Sequence, residues 1–490
     1  MSAPLIKSRL MKRRPTRRAS ALPSRHPARE ARLTPQRQGA SRSAVALIMA
    51  VTMITMLSIV VADIHEATST SYAIAMNRRD NLRAEYMAKS GLNLTRLLVA
   101  QEPAIRQVVA PMYQSLLGRP PPMLPIWAMA DDLLKPFCDY EAVQSLNTGF
   151  DFRSADGLGE TDSMCEIVSF AENAKININL PLNYSGDEAR RSISMQLFAM
   201  MGGYQVQSPY DPLFSGLDRD GNNTSRLDVV GAIVDWWDYD QDRTVFDPGR
   251  AEISNSGTED DVYTRLDDPY RARNAPFDSL EEARLVRGVG DDFWATFVEP
   301  NPNDPTARIV TIYGSGAVNP NESPPEVLLA RVCSFLTDQP LCANPLEAQK
   351  FVQLLSTVRS LIPIPFFTRV SDFLTFLEGG GGPRDLYPML LGYLGPESPL
   401  IFTPITIPAD KRQEIDRMFV TAARILTIDV TGRAGCRERE VEDDPNSPCA
   451  EWRGRVRLKT VVNFHELWSP PPPNTGGMPG LGVFHYYRVE

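Results

Sequence analysis

From Ala44 to Ala62 the chain reads AVALIMAVTMITMLSIVVA, nineteen residues without a charge, bounded by Arg42 and Asp63. As a helix rising ~1.5 Å per residue this run reaches about 28 Å, close to the thickness of a bilayer's hydrocarbon core. A secretory signal would end at a small-residue cleavage site followed by polar mature sequence. Here the helical pattern continues instead. Between Asp63 and Ala100 there is no proline and one glycine, Gly91, while apolar residues recur at helical spacing through Tyr86, Met87, Leu92, Leu94, Leu97 and Leu98. The pattern predicts a single helix of roughly fifty-five residues, apolar all round in its first half and amphipathic in its second.

Further along the period changes. CEIVSFAENAKININL (Cys165–Leu180), RILTIDVTGRAG (Arg424–Gly435) and RGRVRLKTVVNFHEL (Arg453–Leu467) alternate apolar and polar residues over strand lengths. The stretch between them carries helix signals. In PFDSLEEARLVRGV, Ser279 stands as an N-cap with Glu282 three residues on, a capping box, and Gly288 as the stop. NESPPEVLLARVCSFL offers a proline-led start, and Gly379 to Gly382 form a loop or hinge. Strands before, helices between and strands after predict an α+β domain with a helical insertion.

Charge divides the chain differently. Up to Ser43 there are twelve Lys and Arg residues against Glu30 alone, so the leader carries +11 and the remainder −20 of the total −9. Basic residues ahead of an apolar span keep the N-terminus in the cytoplasm and send the body across. An acidic body disfavours nucleic acid, and the leader, although basic, lacks aromatic residues for stacking on bases. Six cysteines fall into three close pairs, Cys138 with Cys165, Cys333 with Cys342 and Cys436 with Cys449. None has the CxxC spacing of a zinc or redox site, so they read as structural disulfides, with about fifteen connectivities open.

Signs of catalysis are weak. The four histidines are His26, His65, His465 and His485, and no HExxH, GxSxG or phosphate loop occurs. Asp260 and Asp261 form an acid pair, but solvated charge is the commoner role. Trp236 and Trp237 could line a sugar site; a core-and-surface pair at a helix end is the expectation. Between Asp235 and Asp268 stand eleven acids and three arginines. Closely spaced carboxylates suit calcium, which takes ~6–8 oxygen ligands. Neither this stretch nor DRDGN (Asp218–Asn222) has EF-hand register, and from spacing alone a solvated acidic loop remains open.

The basic leader, apolar half-helix and amphipathic continuation resemble the type IV pilin and pseudopilin superfamily. An ordered set of stretches resembles the general secretion pathway protein K family within it: EYMAKSGLNLTRLLV, AKININL, VVGAIVDWWDYDQD, DDPYRARNAPFDSLEEARLVRGV and VNPNESPPEVLLA, reaching from Glu85 to Ala330. The resemblance implies a prepilin peptidase cut between Ala44 and Val45, with alanine where glycine is usual; Gly39 is the alternative site. Mature position five is then Met49 rather than glutamate, as in the K-type minor pseudopilin. The implied fold is a pilin-like α+β domain, a long N-terminal helix on an antiparallel sheet, with a large sterile-alpha-motif or helix-hairpin-helix-like insertion. Expected boundaries are a leader over 1–44, the helix over 45–105 with its transmembrane part at 45–62, pseudopilin parts at 106–180 and 396–490, and the insertion at 181–395.

The implied function is that of a minor pseudopilin at the tip of a type II secretion pseudopilus, not an enzyme, starting or capping its assembly for export across the outer membrane. Its partners would be the I and J minor pseudopilins, the major pseudopilin G, prepilin peptidase and the inner membrane, spanned once with the body periplasmic; nucleic acid is not expected. The family's insertion binds calcium, which makes Asp235, Asp238, Asp240, Asp242, Asp247 and Glu252 the candidate ligands. Two other classes compete: a minor pilin or tip adhesin of a type IV pilus, and a membrane-anchored periplasmic enzyme.

Overall fold

The computed structural model describes residues 40–138, 163–179, 186–218, 221–302, 304–361, 364–382, 385–396, 398–437, 451–464 and 480–490. They divide into two compact units at Ala73 and Ile74. The first contains the start of helix α1 (Ala40–Ala100). Its apolar window has a mean hydropathy of 2.6 with no residue buried, and it is long and apolar enough to cross a membrane. The hydroxyls of Thr52 and Thr55 donate to the carbonyls of Met49 and Thr52 at 3.0 and 2.9 Å. Both polar groups are thereby satisfied within the helix, as a hydrocarbon environment requires.

In the second unit, α1 from Ile74 onward lies on a four-stranded antiparallel sheet of order β1–β6–β7–β8, formed by Ser163–Ala171, Ile425–Arg437, Glu451–Asn463 and Val483–Val489. Helix and sheet meet backbone to backbone. A Cβ on Gly432 would stand 2.0 Å from the Ala84 carbonyl oxygen, and one on Gly454 would stand 2.4 Å from that of Asp80. From the helix side, a Cβ on Gly91 would come within 2.9 Å of Val430 Cγ1. Small residues on both surfaces therefore set the separation. Asp80, fully buried in this seam, pairs with Arg79 at 2.8 Å and Arg453 at 3.1 Å, which compensates its charge.

Helices α2 (Glu102–Leu117) and α3 (Ala130–Cys138) follow. Asp131 of α3 accepts the Ile167 N–H at 2.7 Å, the Trp127 carbonyl accepts the Ser169 hydroxyl at 2.6 Å, and a disulfide joins Cys138 to Cys165. The free edge of β1 is thus covered. One apolar core fills this layer, built from Leu92, Trp127, Ile167, Leu426, Leu458 and their neighbours.

A second, larger core runs from Ile176 to Phe419. It is built by α4 (Gly186–Met200), α5 (Arg226–Trp237), α6 (Pro325–Cys333), α7 (Pro345–Leu361) and α8 (Val370–Leu377) with the segments between them. Pro325 opens α6, as its sequence suggests, and the Cys333–Cys342 disulfide holds its end. Cys436 is also disulfide-bonded, whereas Cys449 lies outside the described residues. Phe402, Ile405, Ile407 and Met418, beyond the expected boundary at 395, belong to this helical core.

Asparagines staple the junction of the two cores. Asn173 Oδ1 accepts the Arg424 and Ile425 amides at 3.0 and 3.1 Å, while its carbonyl accepts the Asn319 amide at 2.9 Å. Asn179 bonds to Phe277 and Ile312, holding the parallel pair β2 (Ile176–Asn177) and β5 (Val310–Thr311) in place. The expected capping box at Ser279 does not form. Glu282 instead accepts from the Asp278 amide at 3.0 Å and pairs with Arg273 at 2.8 Å, and Leu280–Leu285 is a 3₁₀ segment with no side-chain cap. The glutamate has a stronger partner in the arginine than in the N-cap amide.

Because a Cβ at Gly432 has rigid helix backbone in its way, Gly432→Ala should cost roughly 2 kcal/mol of stability, as overpacking does. Urea denaturation followed by tryptophan fluorescence measures this; an unchanged midpoint would mean that helix and sheet are not in contact there.

Candidate metal centre

The site begins with a helix cap. Ser225 and Asp228 form a capping box at the start of α5, which then runs as VVGAIV with every residue from Val229 to Trp237 buried. Gly231 lets α5 lie against β3 (Asp242–Asp247), since a Cβ there would stand 2.5 Å from the Thr244 carbonyl oxygen. At this separation Asp235, one turn further along, accepts the Thr244 amide at 2.7 Å. Asp238 follows at the end of the helix. The hairpin then turns back through β4 (Glu252–Thr258), where Asp242 faces Thr258, and delivers Glu259 to the same place.

Asp235, Asp238 and Glu259 are all buried, and each offers a carboxylate oxygen within 4.8 Å of the other two. Asp238 Oδ1 and Glu259 Oε1 have no hydrogen-bond partner. The nearest cation is Arg190, which reaches Asp238 at 3.3 Å, Asp240 at 3.0 Å and Asp187 at 2.6 Å. One guanidinium shared among several acids leaves the trio short of positive charge. Burial accordingly pushes the Asp235 carboxyl up to about 7, against the opposing Thr244 bonds. Burial, reinforced by Asp240, pushes Asp238 to about 6, and burial with Asp235 and Asp238 nearby pushes Glu259 to about 9. Three convergent hard oxygen donors, two of them orphaned, fit a divalent cation of the calcium type.

Of the six ligands expected from sequence, the structure brings Asp235 and Asp238 together and holds Asp240 beside them through Arg190. Asp242 is exposed at the base of the hairpin. Asp247 and Glu252 face each other at its far end, ~17 Å along the strand. Asp247 there accepts the Gly249 amide at 2.9 Å, ordering the turn. Glu259 was not singled out; the signal that could have found it is the turn at Asp247-Pro248-Gly249, which folds the acidic stretch back on itself. Asp218, in DRDGN, bonds to the Asn222 amide and the Thr224 hydroxyl within its own loop. Trp236 and Trp237 are both buried, correcting the core-and-surface expectation. Trp236 packs near Tyr263 and Phe277 and donates to Glu282 at 3.2 Å.

Residues 205–297, which contain this centre, match the sequence family described as Type II secretion system (T2SS), protein K. No curated protein matches the chain. Among solved structures, it is similar to the crystal structure of the GspK-GspI-GspJ complex from the enterotoxigenic Escherichia coli Type 2 Secretion System. The identity is 12% and the TM-score 0.36, over 67% of this chain and 80% of that one.

The three carboxyls hold their protons more tightly in the fold than in the unfolded chain, where values near ~4 apply. Their contribution to stability is therefore complete below about pH 4 and is lost as pH rises through about 6, 7 and 9. In chelator, the melting temperature should fall between pH 5 and pH 9, and Glu259→Gln should flatten that fall. A wild-type profile flat over this range would contradict the clustering.

Proposed function

We propose, on the premise that this chain is a member of the type II secretion system protein K family, that it is the minor pseudopilin at the tip of the pseudopilus, where it starts or caps assembly. The single observation that carries this reading is the family match over residues 205–297; the apolar helix at the other end of the chain agrees with it. The sheet with α1 laid across it is the pilin-like part, and the helical core is the insertion.

The mechanism is steric and electrostatic rather than catalytic. Prepilin peptidase cuts between Ala44 and Val45 and leaves α1 as the anchor, with the leader cytoplasmic and the body periplasmic. Met49 then stands at mature position five. A methionine offers no charge to the N-terminal amine of a neighbouring subunit, so no subunit is recruited above this one. The insertion, the larger of the two cores, obstructs stacking on the same side. The partners are the I and J minor pseudopilins, as in the solved complex, together with the major pseudopilin G.

Asp235, Asp238 and Glu259, with Asp240 alongside, would hold calcium. Bound there, it would supply the positive charge that the buried carboxylates lack, and the three residues would then tie α5 to the end of the β3–β4 hairpin. The orphaned oxygens of Asp238 and Glu259 support this reading.

Two measurements test it. After incubation with prepilin peptidase, mass spectrometry should find a mature chain beginning at Val45; a start at Ala40 would remove the argument from Met49. Calorimetric titration of the full chain in detergent should give heat with calcium and a raised melting temperature, both lost in Glu259→Gln. No heat with the wild type would overturn the calcium assignment.

A further inference from the structure

Arg190 lies on the second turn of α4, and its side chain is only 13% exposed, so its charge faces carboxylates rather than water. Its guanidinium fork divides between two elements. Nη2 donates to Asp187 at 2.6 Å on its own helix, while Nη1 donates to Asp240 at 3.0 Å and to Asp238 at 3.3 Å in the segment that follows α5. Helix α4 is thereby tied to the end of α5 through a carboxylate that also belongs to the buried trio.

Asp238 is divided atom by atom. Arg190 pairs with Oδ2, whereas Oδ1 is buried without a partner, as is Oε1 of Glu259. Both residues are 5% exposed, so neither orphaned oxygen is satisfied by bulk water. A cation bound at Oδ1 would stand one carboxyl group away from the guanidinium, and two positive charges that close repel strongly in a buried setting. Asp240 is committed differently: Oδ2 accepts from Arg190 and Oδ1 accepts the Asp242 amide at 2.9 Å. Arg190 can therefore release Asp238, the longest of its three contacts, and still keep Asp187 and Asp240.

We infer that Arg190 is the stand-in cation of the ion-free centre: it compensates Asp238 when no ion is bound, and it sets the affinity for calcium by competing for that carboxylate. It is a positioning residue and not a ligand, because a guanidinium has no lone pair to offer. Asp240 acts through it, drawing the guanidinium away from Asp238. The coupling is reciprocal, so that by as much as Arg190 weakens the ion, the ion weakens the hold of α4 on the end of α5. The inference rests on the calcium reading proposed above.

Titration with calcium chloride and melting curves, on the full chain in detergent at one fixed pH, test it. Arg190→Gln should bind calcium about tenfold more tightly and melt below the wild type in chelator, so that calcium raises its melting temperature by more. Arg190→Lys keeps the charge and should return both properties toward the wild type. Asp240→Asn should weaken binding in the wild-type background and change nothing in Arg190→Gln. Equal or weaker binding by Arg190→Gln would overturn the stand-in role and leave the calcium reading in place. An equal loss from Asp240→Asn in both backgrounds would overturn its action through Arg190. No heat from either the wild type or Arg190→Gln would overturn the calcium reading and this inference together.

Discussion

At two glycines of the sheet, α1 meets β6 and β7 with no side chain between them, and the rest of the second unit depends on that contact. Gly432 and Gly454 let helix backbone touch sheet backbone at Ala84 and Asp80, and Gly91, on the helix side, makes room for the side chains of Val430 and Cys165. A seam this close fixes which helical residues face the sheet. It buries Asp80, which must then be answered by Arg79 and Arg453, and it leaves Tyr86 and Leu97 outward. It also explains how so small a sheet can be stable: α1 and α3 cover one face and one edge, and the disulfide to Cys165 closes the corner.

The helical core obeys a different constraint, the cost of buried carboxyl groups. Asp235 and Asp238 are fixed by α5, and Glu259 arrives from the end of a hairpin, so their convergence depends on tertiary structure. Without a cation the cluster is tolerated by keeping protons. With one, the same oxygens become a tie between elements. On the proposed reading, this is how an acidic insertion could depend on its ionic surroundings while the sheet beneath does not.

Much of the architecture was legible because it is local. The long helix shows in a run with no proline and one glycine, β6 and β7 show in strict alternation, and Pro325 announces α6. What the sequence hid is contact between distant segments. Nothing near Glu259 marks it as the third member of the carboxylate trio rather than Asp242, which is closer in sequence to Asp238; the bulged hairpin decides that. Glu282 has the spacing of a capping residue, but Arg273 lies within reach and takes it. Trp236 and Trp237 were expected as a core-and-surface pair, yet the aromatic core behind α5 encloses both. Gly432 and Gly454 look like ordinary interruptions of a strand until the helix above them is in view.

On the proposed function, the chain occupies one place, the end of a fibre, because of what its anchor lacks and what its body adds. Gold labelling of an epitope on the helical core, read by electron microscopy of isolated pseudopili, tests that most directly. One label per fibre, at a terminus, is the expected result. Labels distributed along the length would contradict it.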